Sequence, residues 1–121
     1  CVEDDPIVRE FVTLQLRSLG YTTIAASNAA EALAVVGSNT NIDLLFTDII
    51  MPGKMDGWQL AELVKKLRPD IRIMCTSGYS SFNPERIASN PGLLLLEKPY
   101  RLSALAQMLR RALGASDRAV N

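Results

Sequence analysis

A lone carboxylate, Asp48, stands just after the apolar run 44–46 and shortly before the turn-forming segment 51–53. Continuous apolar runs are typical of strands that are covered on both faces of a sheet. In open α/β sheets, ligands bind outside the carboxyl ends of the strands. The sequence therefore predicts that Asp48 lies at the edge where such a sheet does its chemistry.

Other polar side chains follow apolar runs in the same way. The acidic segment 3–5 follows the apolar start of the chain, and Thr76 and Lys98 each follow a later apolar run. If the strands are parallel, their carboxyl ends meet at one edge of the sheet. We therefore expect acids, a hydroxyl and a lysine to gather around Asp48.

This set of side chains suits phosphoryl transfer. The carboxylates of Glu3, Asp4 and Asp48 would repel each other unless a cation lay among them, and Mg²⁺ prefers such oxygen ligands. Asp48 is then the candidate nucleophile that attacks phosphorus in line. Lys98 would neutralise one phosphoryl oxygen and Thr76 would donate its hydroxyl to another. The product would be an acyl phosphate on Asp48.

Length and charge narrow the function further. The chain has 121 residues, enough for one domain with a buried core. Its 13 basic and 13 acidic residues are interspersed and give a net charge of zero, so we expect no binding to nucleic acid or to a membrane surface. No run has the length of a membrane span and no signal peptide is recognisable, which predicts a cytoplasmic protein.

Histidine is absent from the chain. Its absence excludes Ser-His-Asp and Cys-His mechanisms, and zinc sites that need imidazole. Two cysteines, Cys1 and Cys75, are too few for a thiolate zinc site, and their apolar surroundings predict small buried thiols rather than a disulfide.

Apolar spacing and turn residues predict strands that alternate with helices. Strands are predicted at the start of the chain, Thr22 to Ala26, Asp43 to Thr47, Ile71 to Cys75 and Leu93 to Leu96. Helices are predicted from Pro6 until Gly20, from about Ser27 to Val36, from Trp58 to Leu67, around Glu85 to Ala88, and from Leu102 to Ala112. This order indicates a single α/β domain over residues 1–121, with a parallel sheet and helices on both faces.

The two ends of the chain are also predicted. Only Cys1 and Val2 precede the acids, whereas strands average about five residues, so we expect the first strand to be truncated and the natural chain to extend upstream. Residues 115–121 are expected to form a frayed tail.

The motifs match a family. The chain resembles receiver domains of bacterial two-component systems, most of all those of hybrid histidine kinases. The motifs are Val2-Glu3-Asp4-Asp5, Asp48 through Met51-Pro52 to Met55-Asp56-Gly57, Thr76-Ser77-Gly78 and Lys98-Pro99. Four motifs in this order span nearly the whole chain and are specific. The resemblance implies a flavodoxin-like, doubly wound, five-stranded parallel sheet of order 2-1-3-4-5.

The resemblance also implies a phosphorelay function. Asp48 would accept a phosphoryl group from the phosphohistidine of a histidine kinase or a histidine phosphotransfer protein. Mg²⁺ would be held by Asp4, by Asp48 and by the backbone carbonyl of Ile50, with Glu3 acting through water. Since this chain has no histidine, the donor must be another domain or another protein.

Thr76 and Lys98 would bind the phosphoryl group and report its presence. The family's usual aromatic residue shortly before the lysine is here Leu95, whereas Tyr100 keeps its aromatic ring. We therefore expect a smaller change than the swing of a ring. A weak or phosphorylation-dependent dimer is compatible with this interpretation.

We expect a phosphoacceptor rather than an enzyme, with slow hydrolysis of its own acyl phosphate. The reason is that Ile50 and Gly78, which should flank the path of the attacking water, offer no side-chain hydrogen bond to orient it.

Three other functions would require residues that differ from those of this chain. A haloacid dehalogenase-type phosphatase would need a second acid two residues after Asp48, where Ile50 stands. A flavin-binding protein would need a hydroxyl- and glycine-rich phosphate loop in place of the acidic segment 3–5. A degenerate receiver that serves only as a protein-interaction module would lack a central residue, and none is missing. This last function is the alternative that we keep.

Overall fold

The computed structural model describes residues 1–38, 41–50, 55–77, 85 and 93–113. Helices and strands alternate along these residues. Their bounds are α1 Pro6–Ser18, α2 Ala29–Ser38, β1 Leu44–Asp48, α3 Gly57–Leu67, β2 Arg72–Ser77, β3 Leu94–Glu97 and α4 Leu102–Leu113. Within this described part, no helix combines the length and the apolar character that crossing a membrane would require.

The three strands form a parallel sheet in the order β1-β2-β3. In its register Asp48 pairs with Thr76, and Thr76 pairs with Leu96. The carboxyl ends of the strands therefore lie at one edge of the sheet. Lys98 follows directly after β3 at that same edge, and its backbone N–H donates to the carbonyl of Ser77 at 2.9 Å.

The start of the chain extends this sheet. Val2 forms a parallel bridge to Ala26 on one side and to Thr47 of β1 on the other. Its N–H donates to Phe46 O at 2.8 Å, and its carbonyl accepts from Asp48 N at 3.1 Å. The lateral order is thus Ala26, Val2, β1, β2, β3, which is the predicted order 2-1-3-4-5.

The strand predicted from Thr22 to Ala26 is wrong over most of its length, because only Ala26 forms a bridge. Its β-branched residues favour a strand, but a strand also needs a neighbour to bond. Among the described residues, the neighbour on this side of the sheet is the segment Cys1 to Glu3, which bonds Ile24 O, Ala26 N and Ala26 O. The ladder therefore stops at Ile24.

The other boundaries differ from the predictions by one or two residues. Each later strand reaches further toward the site than predicted, because pairing continues to Asp48, Ser77 and Glu97. The first helix ends at Ser18, and Gly20 adopts a left-handed φ of 96° just beyond it. The predicted tail lies outside the described residues, and so does the helix at 85–88 apart from Glu85.

Two apolar layers cover the two faces of the sheet, as predicted. Leu45, Ile73 and Cys75 pack with α2 and α3, and Phe46, Met74 and Leu96 pack with α1 and α4. The buried helix residues of the first layer are Ala29, Ala32, Val36, Trp58, Leu60, Ala61 and Val64, and those of the second are Val12, Leu16, Leu105 and Leu109. Because helices cover both faces of the sheet, the side chains of β1 and β2 are buried on both sides, which explains their continuous apolar runs.

The first helix carries a second apolar stripe that does not face the core. Val12 and Leu16 are buried, whereas Ile7, Phe11 and Leu14 are 79%, 61% and 57% exposed. The helical spacing of all these residues predicts amphipathicity, but it does not tell which stripe packs on the sheet.

Both cysteines are free, as predicted. Cys75 is buried in β2, and burial, with the nearby charge of Asp48, raises the pKa of its thiol to about 12. A thiol with such a pKa is protonated at neutral pH and therefore unreactive.

Candidate functional site

The site lies where β1, β2 and β3 end beside the start of the chain. Asp48 is the last residue of β1 and Thr76 stands beside it in β2. Because Val2 pairs with Thr47, the following acids Glu3 and Asp4 emerge next to Asp48. The structure therefore brings together the acids and Thr76 as the sequence predicted.

Three carboxylates form a tight cluster. Glu3, Asp4 and Asp48 each offer an oxygen within 4.8 Å of the other two. Glu3 and Asp48 are buried, whereas Asp4 is exposed. Carboxylates this close repel each other, and a hard divalent cation with oxygen ligands removes the repulsion. The donor set therefore fits Mg²⁺, as expected from the sequence.

Lys98 is the counter-ion of this cluster. Its Nζ lies 3.1 Å from Asp48 Oδ2 and 3.6 Å from Glu3 Oε1. Three carboxylates and one ammonium leave a formal charge of −2. The lysine therefore orients Asp48 but leaves negative charge that a divalent cation would balance.

Burial raises the pKa of Glu3, and the charge of Asp48 adds to the effect. The backbone N–H of Asp5, which donates to Glu3 Oε2 at 3.1 Å, and the Lys98 ammonium act in the opposite direction. A cation bound among these carboxylates would also favour the charged form of Glu3.

Thr76 has an unsatisfied hydroxyl. Its Oγ1 is buried and has no hydrogen-bond partner among the described residues. Leaving a buried polar group unpaired costs about 1–3 kcal/mol, so such a group calls for an explanation. A small cavity of about 20 Å³, close to the size of one water molecule, is lined by Thr76 together with Asp48 and Lys98. The hydroxyl is thus available to a ligand at this edge.

Tyr100 closes the α1 and α4 side of the site. Its ring packs against Phe46 with centroids 6.4 Å apart. Burial and the negative charges of Glu3 and Asp48 raise the pKa of its phenol to about 12. Leu95 instead packs on the α2 and α3 side, so the two residues lie on opposite faces of the sheet.

Ile50 follows the site directly and its side chain is 62% exposed. The metal-binding role of its backbone carbonyl stays a prediction. Gly78, the other residue expected to flank the attacking water, lies outside the described residues.

Gly57 touches the backbone of the site, a role that was not predicted from the sequence. Its N–H donates to Ile49 O at 2.7 Å, and a Cβ atom there would overlap the carbonyl oxygen of Asp48 and lie 2.6 Å from the Cα of Ile49. Only glycine permits this close approach. A signal was present in the sequence, because glycine is a poor helix former and here directly follows the N-cap Asp56.

Arg9 is a second residue whose role was missed. Its Nη1 donates to the carbonyl oxygens of Glu3 at 3.0 Å and Asp4 at 3.4 Å. The guanidinium thereby fixes the acidic segment to α1. The sequence alone does not predict this contact, because an arginine in the first turns of a helix can have many different partners.

The fold and this sheet edge define an α/β domain with an acidic site at the carboxyl ends of its strands, and sequence comparison gives its family. The family described as "Response regulator receiver domain" matches residues 1–110. The chain belongs to this family, which acts in two-component signalling.

Individual relatives agree. The response regulator receiver protein CpdR of Brucella abortus (strain 2308) is 33% identical over 116 residues, which cover 94% of both chains. The sensor kinase CckA of the same organism is 32% identical over 118 residues, which cover 96% of this chain but 12% of CckA. The matched residues cover 26% of the transcriptional regulatory protein GlrR of Escherichia coli (strain K12). The chain thus spans only 12% and 26% of the length of these two longer relatives.

Solved structures share the fold. The receiver domain of the hybrid histidine kinase CckA superposes with a TM-score of 0.78 at 33% identity, covering 93% of this chain and 94% of that one. A response regulator receiver protein from Sinorhizobium medicae WSM419 gives a TM-score of 0.82 at 29% identity, with 94% and 91% covered.

The Gly57 contact yields a prediction. Gly57→Ala should lower the free energy of unfolding by about 1–3 kcal/mol, because the new methyl group must push the Asp48 carbonyl aside. Gly37→Ala is the matched control: Gly37 lies in α2 with open space around it, so alanine should raise stability by about 0.5–1 kcal/mol. Urea denaturation measures both, and opposite signs are expected. Equal effects of the two alanines would contradict the steric argument.

Proposed function

We propose that Asp48 accepts a phosphoryl group from a phosphohistidine in an Mg²⁺-dependent reaction. The observation that carries the proposal is the grouping of three carboxylates, a lysine ammonium 3.1 Å from Asp48, and the unpaired buried hydroxyl of Thr76. Each of these groups has a use in phosphoryl transfer, which depends on positioning and charge stabilisation. Membership of the receiver family supports the same reaction.

In the proposed step a carboxylate oxygen of Asp48 attacks phosphorus while the bond from phosphorus to the histidine nitrogen breaks. The electron pair of that bond stays on the imidazole nitrogen, and the product is an acyl phosphate on Asp48. Lys98, which holds Oδ2, orients the nucleophile and would then pair with a phosphoryl oxygen. Thr76 would donate its hydroxyl to another phosphoryl oxygen, and both residues would shift toward the group.

The residues that would hold Mg²⁺ are Asp4 and Asp48 directly and Glu3 through water, with the backbone carbonyl of Ile50. When bound, the ion neutralises charge on the phosphoryl oxygens. We propose that the chain undergoes only this transfer and a slow hydrolysis of its acyl phosphate. The hydrolysis is slow because Ile50, which lies beside the acceptor, is apolar and cannot orient the attacking water.

Asp48→Asn should abolish phosphorylation, because an amide is a far weaker nucleophile than a carboxylate. The protein is incubated with Mg²⁺ and acetyl phosphate, and the gain of one phosphoryl group is read by intact mass. Asp43→Asn is the control, since Asp43 precedes β1 at the opposite end of the same strand. Mass followed after removal of the donor gives the lifetime of the acyl phosphate.

Labelling of Asp48→Asn at the wild-type rate would refute the assignment of the acceptor. No labelling of the wild type by acetyl phosphate or by a histidine-phosphorylated protein would favour the interaction module instead.

Asp4→Asn should weaken Mg²⁺ binding at least tenfold, equivalent to about 1.4 kcal/mol, because it removes one charge from the cluster. Asp5→Asn is the matched control. Asp5 caps α1 by accepting from Ile7 N and Val8 N, and asparagine caps helices about as well, so metal affinity and stability should both persist. Calorimetric titration with MgCl₂ measures the affinities. Equal losses in the two variants would mean that Asp4 is not a ligand.

We further propose that the phosphohistidine donor docks on the exposed stripe of Ile7, Phe11 and Leu14. The donor must bring its phosphorus into contact with Asp48, so it has to cover the surface beside the site. α1 begins directly after the acidic segment, and the three side chains follow helical spacing on one face. A contiguous exposed apolar stripe is typical of a partner surface, here one that fits an apolar helix face of the donor.

Leu14→Ala should slow phosphotransfer from the histidine-phosphorylated donor about tenfold, a loss of about 1.4 kcal/mol. Phosphorylation by acetyl phosphate should stay unchanged, because that small donor needs no docking surface. Leu67→Ala is the matched control: Leu67 is 58% exposed on α3, close to the 57% of Leu14. Equal rates for the two variants with the protein donor would count against the α1 surface and leave the role of Asp48 intact.

A further inference from the structure

The acidic segment 3–5 has no regular structure of its own, yet two of the three clustered carboxylates belong to it. The third carboxylate, that of Asp48, is fixed by the sheet, where the N–H of Asp48 donates to Val2 O at 3.1 Å. The spacing of the three carboxylates therefore depends on what holds Glu3 and Asp4 in place.

Arg9 of α1 holds this segment by its backbone. Its Nη1 donates to Glu3 O at 3.0 Å and to Asp4 O at 3.4 Å, and its own N–H donates to Asp5 O at 2.8 Å. One helical residue thus bonds the carbonyl groups of all three acids. A guanidinium is planar and presents its donors in a rigid fork, so it fixes the direction of the carbonyls that it bonds. Because α1 is itself anchored in the core, the segment is held against a fixed element.

The side chain of Glu3 is held as well. Its Oε2 accepts from Asp5 N at 3.1 Å, and its Oε1 lies 3.6 Å from Lys98 Nζ. Since Glu3 and Asp5 both belong to the segment, this arrangement persists only while the backbone of the segment keeps its shape. The carboxylates are thus preorganised by their surroundings rather than by an ion.

A fixed spacing of oxygen ligands discriminates between ions of the same charge. Mg²⁺ requires a near-octahedral set of oxygens at about 2.0–2.1 Å, whereas Ca²⁺ accepts roughly six to eight oxygens at about 2.3–2.6 Å in flexible geometry. A rigid cluster therefore favours the smaller ion, and a loosened cluster can open to admit the larger one. We infer that Arg9 is a positioning residue that makes the cluster prefer Mg²⁺ to Ca²⁺. The inference rests on the proposed Mg²⁺-dependent function and adds the residue that sets the choice of ion.

The charge of Arg9 acts differently from its hydrogen bonds. A positive charge repels both divalent ions to the same extent, because the Coulomb energy depends on charge and distance rather than on the kind of ion. Loss of the charge should therefore change both affinities alike and leave their ratio unchanged. The ratio of the Mg²⁺ affinity to the Ca²⁺ affinity reports the positioning.

The test compares two substitutions of Arg9. Arg9→Gln removes the guanidinium fork and its charge, whereas Arg9→Lys removes the fork and keeps the charge. Arg9→Gln should lower the ratio of the Mg²⁺ to the Ca²⁺ affinity about tenfold, the size of change that follows the loss of outer partners of metal ligands. Arg9→Lys should lower the ratio too. Calorimetric titrations of the full chain with MgCl₂ and with CaCl₂ measure both affinities.

Arg17→Gln is the matched control. Arg17 lies in the same helix and donates to Thr23 O at 3.5 Å, away from the acids. Its removal should leave the ratio at the wild-type value. If Arg9→Gln does not fold, Arg9→Lys decides alone.

A wild-type ratio in the Arg9 variants would overturn the inference, even if their stability fell, because Arg9 would then be merely structural. A ratio that falls in Arg9→Gln but not in Arg9→Lys would also overturn it, since the charge would be sufficient. So would a wild type that shows no preference for Mg²⁺. If the wild type binds no Mg²⁺ at all, the proposed function fails together with the inference. If it binds Mg²⁺ and only the ratio is insensitive to Arg9, the proposed function stands.

Discussion

Charge repulsion at one sheet edge is the constraint on which the structure depends. Three carboxylates are held within 4.8 Å of one another by elements that are themselves fixed by core packing. Backbone hydrogen bonds oppose the repulsion between the carboxylates, since Val2 bonds to both Phe46 and Asp48 of β1. The Lys98 ammonium offsets part of the negative charge of the carboxylates, and the remaining negative charge favours the binding of a cation. The site is thus electrostatically unfavourable, and the packing and pairing of the rest of the domain offset this cost.

Most of the site could be predicted because its residues are marked by local pattern. Asp48, Thr76 and Lys98 each follow an apolar run, and parallel topology then dictates that strand ends meet. The acids at the start of the chain follow by the same reasoning. The sequence shows that each residue lies at the end of a strand, and the parallel fold then brings these strand ends close together.

The errors arise where the outcome depends on a distant neighbour. Thr22 and Thr23 have strand composition, but no backbone pairs with them in the described part of the chain, and local propensity does not report that. The two apolar stripes of α1 are equivalent in sequence, and only tertiary packing selects Val12 and Leu16 for the core. Gly57 is informative only once Asp48 and Ile49 are known to lie against it. These are long-range facts that a single sequence does not encode locally.

The hydrogen bond from Gly57 N to Ile49 O has a consequence for how this segment of the chain can change. It ties the two ends of the connection 50–56 together at its base, immediately after Asp48. The entropy of closing such a connection grows only slowly with its length. Changes of length within 51–55 would therefore cost little additional free energy of loop closure and would leave the backbone at Asp48 in place.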